Sequence, residues 1–173
     1  MPAMLSFSEE AATDALAIDE IVAAAFGQRG EADLVKSLRN NGGLLFSGVA
    51  RLDGDVVAHI AYSPVSIGGL TSDPPALALA PVAVSPTHQR KDYGSSLIRW
   101  SLEQLAGRGF PAVIVLGEPG FYSRFGFQPA ATWDITCPYD VPGEYFMGLE
   151  LAVGTLVGQS GVLGYRPEFA NVS

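Results

Sequence analysis

The chain is 173 residues long, the size of one domain, and a chain of this length buries roughly 70% of the surface its unfolded form exposes. Hydrophobic residues make up 48% and charged residues 16%, which excludes an intrinsically disordered chain. Lys plus Arg total 10 against 18 Asp plus Glu, so the net charge of −8 argues against a partner with a long phosphate backbone.

In chain order, Met1 to Ser8 carries neither a basic start nor a long apolar run, so no signal peptide is expected. Leu16, Ile18, Ile21, Val22, Ala25 and Phe26 recur at helical spacing and Gly27 ends the run. A second helix fits Glu31 to Asn40, broken by Asn41-Gly42-Gly43. Leu44 to Leu52 and Val56 to Val65 read as strands joined by the hairpin signal Asp53-Gly54-Asp55. Ile67 and Gly68-Gly69 lead into a loop ending at Asp73-Pro74-Pro75.

Ala76 to Val84 is almost wholly apolar, as in a strand buried on both faces. Pro81 inside it cannot donate a ladder hydrogen bond, so a bulge or local break in pairing is expected there. Ser85-Pro86 ends the strand, and Tyr93 to Arg108 reads as a helix with Ile98, Leu102 and Leu105 facing the core. Ala112 to Leu116 is a short buried strand, Gly120 to Phe125 a short helix stopped by Gly126, and Tyr145 to Val153 the clearest late strand. The expected architecture is a single α/β domain over residues 1–173 with a mixed sheet and flanking helices.

The positive charge is not spread evenly. Arg90, Lys91, Arg99, Arg108 and Arg124 share one stretch with only Asp92, Glu103 and Glu118, while the remainder holds five basic and fifteen acidic residues. Such a stretch suits a small polyanionic ligand, though arginines decorating one helix would give the same pattern. Cys137 excludes an internal disulfide, and with His59 and His88 it is too little for a structural zinc site, so no metal is expected. No apolar window reaches the ~20 residues of a membrane span, so no membrane partner is expected and a cytoplasmic location is. A Gly-x-Ser-x-Gly elbow and a Walker-type Gly-Lys-Ser/Thr are absent, against a serine hydrolase or a P-loop NTPase.

The segment with the most chemistry runs from Pro81 to Ile98: a buried strand, a polar turn with Gln89, Arg90 and Lys91, then a helix start at Gly94-Ser95-Ser96. A helix N-terminus presents unpaired N–H groups and a positive dipole end, which together bind phosphate. Gly94 lets a ligand approach the backbone, Ser95 or Ser96 adds a hydroxyl, and Arg90 and Lys91 add charge. On these residues alone, an ordinary strand-to-helix turn with a solvated basic tip is an equal reading.

This segment resembles the acyl-CoA-binding motif of the GNAT family of N-acetyltransferases, Gln/Arg-x-x-Gly-x-Gly/Ala after a Val-x-Val-x-Pro strand end. Gln89 and Gly94 fill its first and last places, behind Val82, Val84 and Pro86. Phe121 to Phe127 is similar to the family's second signature, a Tyr followed by a Gly-Phe turn, and Tyr122 lies 33 residues beyond Gln89. The strand at His59-Ile60, the run Leu116 to Tyr122 and the late stretch from Pro142 to Leu151 resemble a bacterial subgroup often called YhbS-like.

The resemblance implies a mostly antiparallel central sheet and acetyl-CoA, or another acyl-CoA, as cosubstrate. Backbone groups of Val82, Ala83 and Val84 would pair with the pantetheine arm. N–H groups from Arg90 through Lys91, Asp92, Tyr93 and Gly94 to Ser95 would hold the pyrophosphate. Tyr122 would protonate the leaving thiolate, and a strand N–H near Val84 would polarise the thioester carbonyl. The acceptor would be an amine of a small molecule or a protein, attacking directly, with the enzyme a monomer or homodimer. A CoA-binding sensor without turnover, and a plain interaction domain, are the other readings.

Two departures from the family pattern stand out. Asp92 takes the place of the first motif glycine; Asp tolerates left-handed backbone better than most residues, but its carboxylate should turn from the pyrophosphate or weaken binding. Ala78 stands where family members often carry a basic Glu, so the acceptor's proton must go elsewhere: to His59, to Glu118 or along a water chain. A lone His in an apolar strand also reads as a core residue, and Glu118 as a solvent-facing loop acid. His88 suits the cofactor side or solvent. Phe125 is both a cofactor-side candidate and, like Phe127, a core residue; Trp100 and Trp133 read as packing, Cys137 as structural.

Overall fold

The computed structural model describes residues 4–69 and 73–172. Residues 70–72 of the loop expected before Asp73, and the first three residues of the N-terminal stretch, lie outside the described residues. The chain forms two compact units, one of residues 1–63, 80–101 and 167–173, the other of 64–79 and 102–166.

In the first unit, β1 (Leu5–Glu9) pairs antiparallel with β2 (Phe46–Leu52), and β2 with β3 (Asp55–Ile67). The β2–β3 turn is tight because Asp53 and Gly54 both take positive φ, 51° and 90°, which matches the twist of the two strands. On one side lie α1 (Ala15–Phe26), closed by left-handed Gly27, and α2 (Gly30–Asn40). Ile18 and Val22 of α1 and Ala32 and Val35 of α2 pack on Val49, Ala61 and Ala83. Each fully buried Ile or Val contributes about 1.5–3 kcal/mol. Elsewhere on β2, Gly48 admits Trp100: a Cβ there would lie 3.0 Å from the indole, and Phe7 stacks on the same ring at 6.0 Å. Trp100 belongs to α3 (Tyr93–Gly107), where Ile98, Leu102 and Leu105 are all buried.

The strand β1 was not expected from the sequence. It is short and half polar, and only its register against β2, from Leu5 opposite Leu52 to Glu9 opposite Gly48, makes it a strand. Just after it, Asp14 is buried and paired with Arg51 of β2, Oδ1 accepting from Nη1 at 3.0 Å while the Ala11 N–H also donates to Oδ2. The Arg51 hydrogen bonds hold the Asp14 carboxyl below its usual range, against the opposing effect of burial. Arg51→Met should therefore cost about 3 kcal/mol at pH 7, because it strands a buried carboxylate. Asp14's contribution is present above pH ~4 and lost as pH falls through its lowered value, so the deficit should shrink steadily as the pH of urea unfolding is taken below ~4.

In the second unit, the start of β4 (Ala76–Val84) pairs parallel with β5 (Ala112–Leu116) through Leu77 opposite Val113 and Ala78 opposite Ile114. The pairing to β5 runs through Leu77 and Ala78, and β4 itself continues through Pro81 to Val84; the Ala80–Pro81 bond is cis. β5 then runs antiparallel to β8 (Phe146–Glu150), and β8 to the short β6 (Gln128–Pro129). β7 (Ile135–Thr136) lies parallel to β9 (Gly161–Gly164), which pairs with the end of β3. Val65, Ala76, Ile114, Phe146, Leu156 and Leu163 form the centre of this core. The late strand is shorter than expected: Tyr145 stands in a 3-10 turn, and beyond Glu150 the Leu151 and Ala152 N–H groups turn to the Pro111 carbonyl.

The fold is thus mixed α/β with a mostly antiparallel sheet. Among the described residues no helix is long and apolar enough to cross a membrane.

Candidate functional site

The strand–turn–helix segment folds as one local unit. Past Val84, the chain makes a 3-10 turn at Pro86–His88, anchored by the Ser85 N–H on the Val57 carbonyl at 2.8 Å. Gln89 then folds back, its Nε2 donating to the Val84 carbonyl at 3.1 Å. Arg90 and Asp92 both adopt left-handed backbone, φ 64° and 61°, on either side of Lys91. Alternation of this kind turns successive N–H groups toward one side and makes an anion-binding nest. Asp92 therefore takes the backbone that the missing glycine would, as the tolerance of Asp for this region anticipates.

The helix follows at once, with the Ser96 N–H on the Asp92 carbonyl at 3.0 Å. Gly94 is not merely permissive, because a Cβ there would lie 3.3 Å from Val84 Cγ2, so the glycine lets the first helical turn close on the strand end. Val82 and Val84 are half-buried and Ala83 buried; Arg90 and Lys91 are exposed, Tyr93 and Ser96 half-buried, and Ser95 buried. His88 stacks on Tyr93 at 6.4 Å and shares a 3.0 Å contact with Thr87 Oγ1.

Glu118, Tyr122 and Phe125 fall together in the second unit. After β5, Glu118 caps the four-residue α4 (Pro119–Tyr122), its Oε1 accepting from the Gly120 N–H at 3.1 Å and Oε2 from Phe121 at 2.7 Å. Tyr122 is 8% exposed, edge-on to Phe121 at 5.0 Å and to Phe127 at 5.7 Å. Burial pushes its hydroxyl up to about 12, so it stays protonated at neutral pH. Phe125 packs on Phe121 at 5.3 Å, and the Arg124 guanidinium lies 4.8 Å from the Phe121 ring.

His59 belongs to a different constellation, which the sequence did not reveal. It is fully buried in β3, with Nε2 2.8 Å from Ser47 Oγ. Ser47 donates to Glu10 Oε1, and Glu10 is held by Arg39 through Nε and Nη2, each at 2.9 Å. Burial raises the Glu10 carboxyl, but the Arg39 and Ser47 hydrogen bonds outweigh it and keep Glu10 lowered, hence ionised. Ser47 must then accept from His59 Nε2–H, which fixes the tautomer and leaves Nδ1 with no hydrogen-bond partner among the described residues. Burial also brings the His59 imidazole down to about 4, with Glu10 opposing and Arg39 assisting the shift. Residues 10, 39, 47 and 59 come from the chain after β1, from α2, β2 and β3, and no signal along the sequence joins them.

The chain is similar to known proteins. Residues 9–130 match the Acetyltransferase (GNAT) domain family. The chain is 35% identical over 157 residues to the Uncharacterized N-acetyltransferase YhbS of Escherichia coli (strain K12), covering 90% of this chain and 93% of that protein. It is 38% identical over 136 residues to the Uncharacterized N-acetyltransferase YjhQ of the same strain, covering 77% and 75%. Among solved structures, the GNAT family N-acetyltransferase (YhbS) from Escherichia coli in complex with CoA superposes with a TM-score of 0.92 at 31% identity, covering 100% of this chain and 96% of that one. A GNAT family acetyltransferase from Brucella melitensis in complex with acetyl-CoA gives 0.80 at 33% identity, covering 96% and 98%.

Proposed function

Since the chain belongs to the GNAT family of N-acetyltransferases, we propose that it moves an acetyl group from acetyl-CoA to a primary amine of a small molecule or protein by direct attack. The observation that carries this reading is the nest at Arg90 to Gly94, formed with Asp92 left-handed in the glycine's place. Backbone of this alternating kind suits a pyrophosphate, and two similar solved structures are complexes with CoA or acetyl-CoA. We take residues 1–173 as one N-acetyltransferase domain, the family match drawing residues from both compact units. We place the reaction in the cytoplasm, where acetyl-CoA is supplied, with the enzyme a monomer or homodimer.

In this scheme backbone groups of Val82 to Val84 hold the pantetheine arm, and N–H groups from Arg90 to Ser95 hold the pyrophosphate. Tyr122 delivers its proton to the departing thiolate, and a strand N–H near Val84 stabilises the developing oxyanion. For the amine's proton we favour the water path. Both Glu118 oxygens already accept helix N–H groups, and His59 is enclosed and reluctant to charge. The acidic remainder of the chain suits a cationic acceptor.

Acetyl-CoA at ~100 times its Kd should stabilise the protein by about 2.7 kcal/mol in thermal unfolding. A mass-spectrometric screen of primary amines with acetyl-CoA, read with thiol release, then identifies the acceptor. No stabilisation by acetyl-CoA would end this reading. Asp92→Gly should tighten acetyl-CoA several-fold by calorimetry, because it removes a carboxylate from the nest while the left-handed backbone is already in place without ligand. Unchanged or weaker binding would show that the carboxylate does not oppose the pyrophosphate.

A further inference from the structure

We infer that Gly117 and Glu118 are positioning residues for Tyr122, Gly117 setting the place of its ring and Glu118 the helix that carries it. This deepens the reading of Tyr122 as proton donor and rests on it. Gly117 follows the last residue of β5 and donates its N–H to the Tyr145 carbonyl at 2.8 Å, so its backbone is fixed to the strand end. A Cβ at Gly117 would lie 2.3 Å from Tyr122 Cε2, 2.8 Å from Cδ2 and 3.3 Å from Cζ. The contact is with the flat body of a rigid ring, not with the tip of a flexible chain. Any larger residue must displace the ring, and Phe121 and Phe127 meet it edge-on at 5.0 Å and 5.7 Å. The ring therefore occupies a slot that exists because residue 117 has no side chain.

The other constraint acts on the backbone. Four residues cannot sustain a helix by themselves, since nucleation fixes several residues for one hydrogen bond. In α4 the first N–H groups are met by Glu118: Gly120 and Phe121 by its carboxylate, Phe121 and Tyr122 by its carbonyl at 3.2 Å and 3.1 Å. Pro119 follows at the first helical position, where its fixed φ suits the helix and its missing N–H costs nothing. Cap and glycine together fix where the Tyr122 hydroxyl sits. They also assign Glu118 to structure, holding the acid in place, and not to proton abstraction.

Gly117→Ala, Glu118→Ala and Glu118→Asn, each made in the native chain and in Tyr122→Phe, test this. The readouts are kcat for thiol release from acetyl-CoA with the amine found in the screen, acetyl-CoA Kd, and the Tyr122 resonance in Cζ-13C-tyrosine protein, assigned by its loss in Tyr122→Phe. Gly117→Ala should shift that resonance, lower kcat roughly 10²-fold as an ångström-scale misplacement does, and leave Kd within about twofold. In Tyr122→Phe it should lower kcat no further. Glu118→Ala should lower kcat about tenfold, and Glu118→Asn, an uncharged side chain that still caps, should restore most of it.

An unmoved resonance or undiminished kcat in Gly117→Ala overturns the role of Gly117. An Asn variant as impaired as Ala overturns that of Glu118 and returns its charge to the chemistry. If Gly117→Ala does not fold, the Glu118 pair decides the question by the same readouts. Unchanged kcat in Tyr122→Phe alone would instead remove the donor reading, while the resonance still reports whether Gly117 fixes the ring.

Discussion

Tyr122→Phe is expected to lower kcat by about 10²-fold or more while acetyl-CoA affinity stays within about twofold, since general acid catalysis typically contributes 10² to 10⁴. The substitution keeps the ring, and with it the packing against Phe121, Phe127 and Gly117, so the loss should report the hydroxyl alone. A donor held near 12 stays protonated across the neutral range. The native enzyme should therefore show no loss of kcat from this group between pH 6 and 9. Steady-state rates with the screened amine, beside acetyl-CoA calorimetry, separate the two effects. Equal rates for native and Phe enzymes would take Tyr122 out of the chemistry.

The second large effect is on stability. The folded chain holds His59 near 4, against an ordinary value of 6.5, so the unfolded chain takes up a proton that the folded one refuses. Stability from this group is complete above pH ~6.5 and declines as pH falls, levelling off only below the folded value. A shift of this size amounts to about 3 kcal/mol over that window. Burial sets it, with Glu10, behind Ser47, opposing and Arg39 assisting; Glu10 itself begins to protonate only below its usual range. Urea unfolding between pH 6.5 and 5 should show a steep slope in the native chain and a flat one in His59→Gln. The same slope in both would mean that His59 is not the group being read. The variant should also keep its kcat at pH 8 if the amine's proton leaves through water.

Much of the fold was legible because its signals are local. Periodicity and Gly27 bounded α1, the pair Asp53-Gly54 set a two-residue turn, and an apolar run marked β4. The strand–turn–helix around Gln89 to Gly94 was legible for the same reason, and the left-handed angle at Asp92 followed from the residue type. Where the signal was ambiguous, the errors were those of context. Leu5 to Glu9 is a strand only because β2 lies beside it, and the late strand stops at Glu150 because the Leu151 and Ala152 N–H groups turn to Pro111. Glu118 faces solvent, as a loop acid should, but no spacing rule said that its two oxygens would meet the amides of Gly120 and Phe121.

The sequence by itself determined that this is an acidic α/β chain with half of its basic residues between positions 90 and 124, and that Gln89, Gly94 and Tyr122 stand in a family's order. Those properties depend on neighbours within a few residues, or on the order of motifs, and both survive in a string of letters. Only the tertiary structure decided that Ser47 would link His59 to a carboxylate 37 residues before Ser47, and that Gly117 would hold the Tyr122 ring. Such contacts are set by strand register and by side-chain direction across the sheet. A shift of one residue would turn each side chain to the opposite face, so no reading along the chain can supply them.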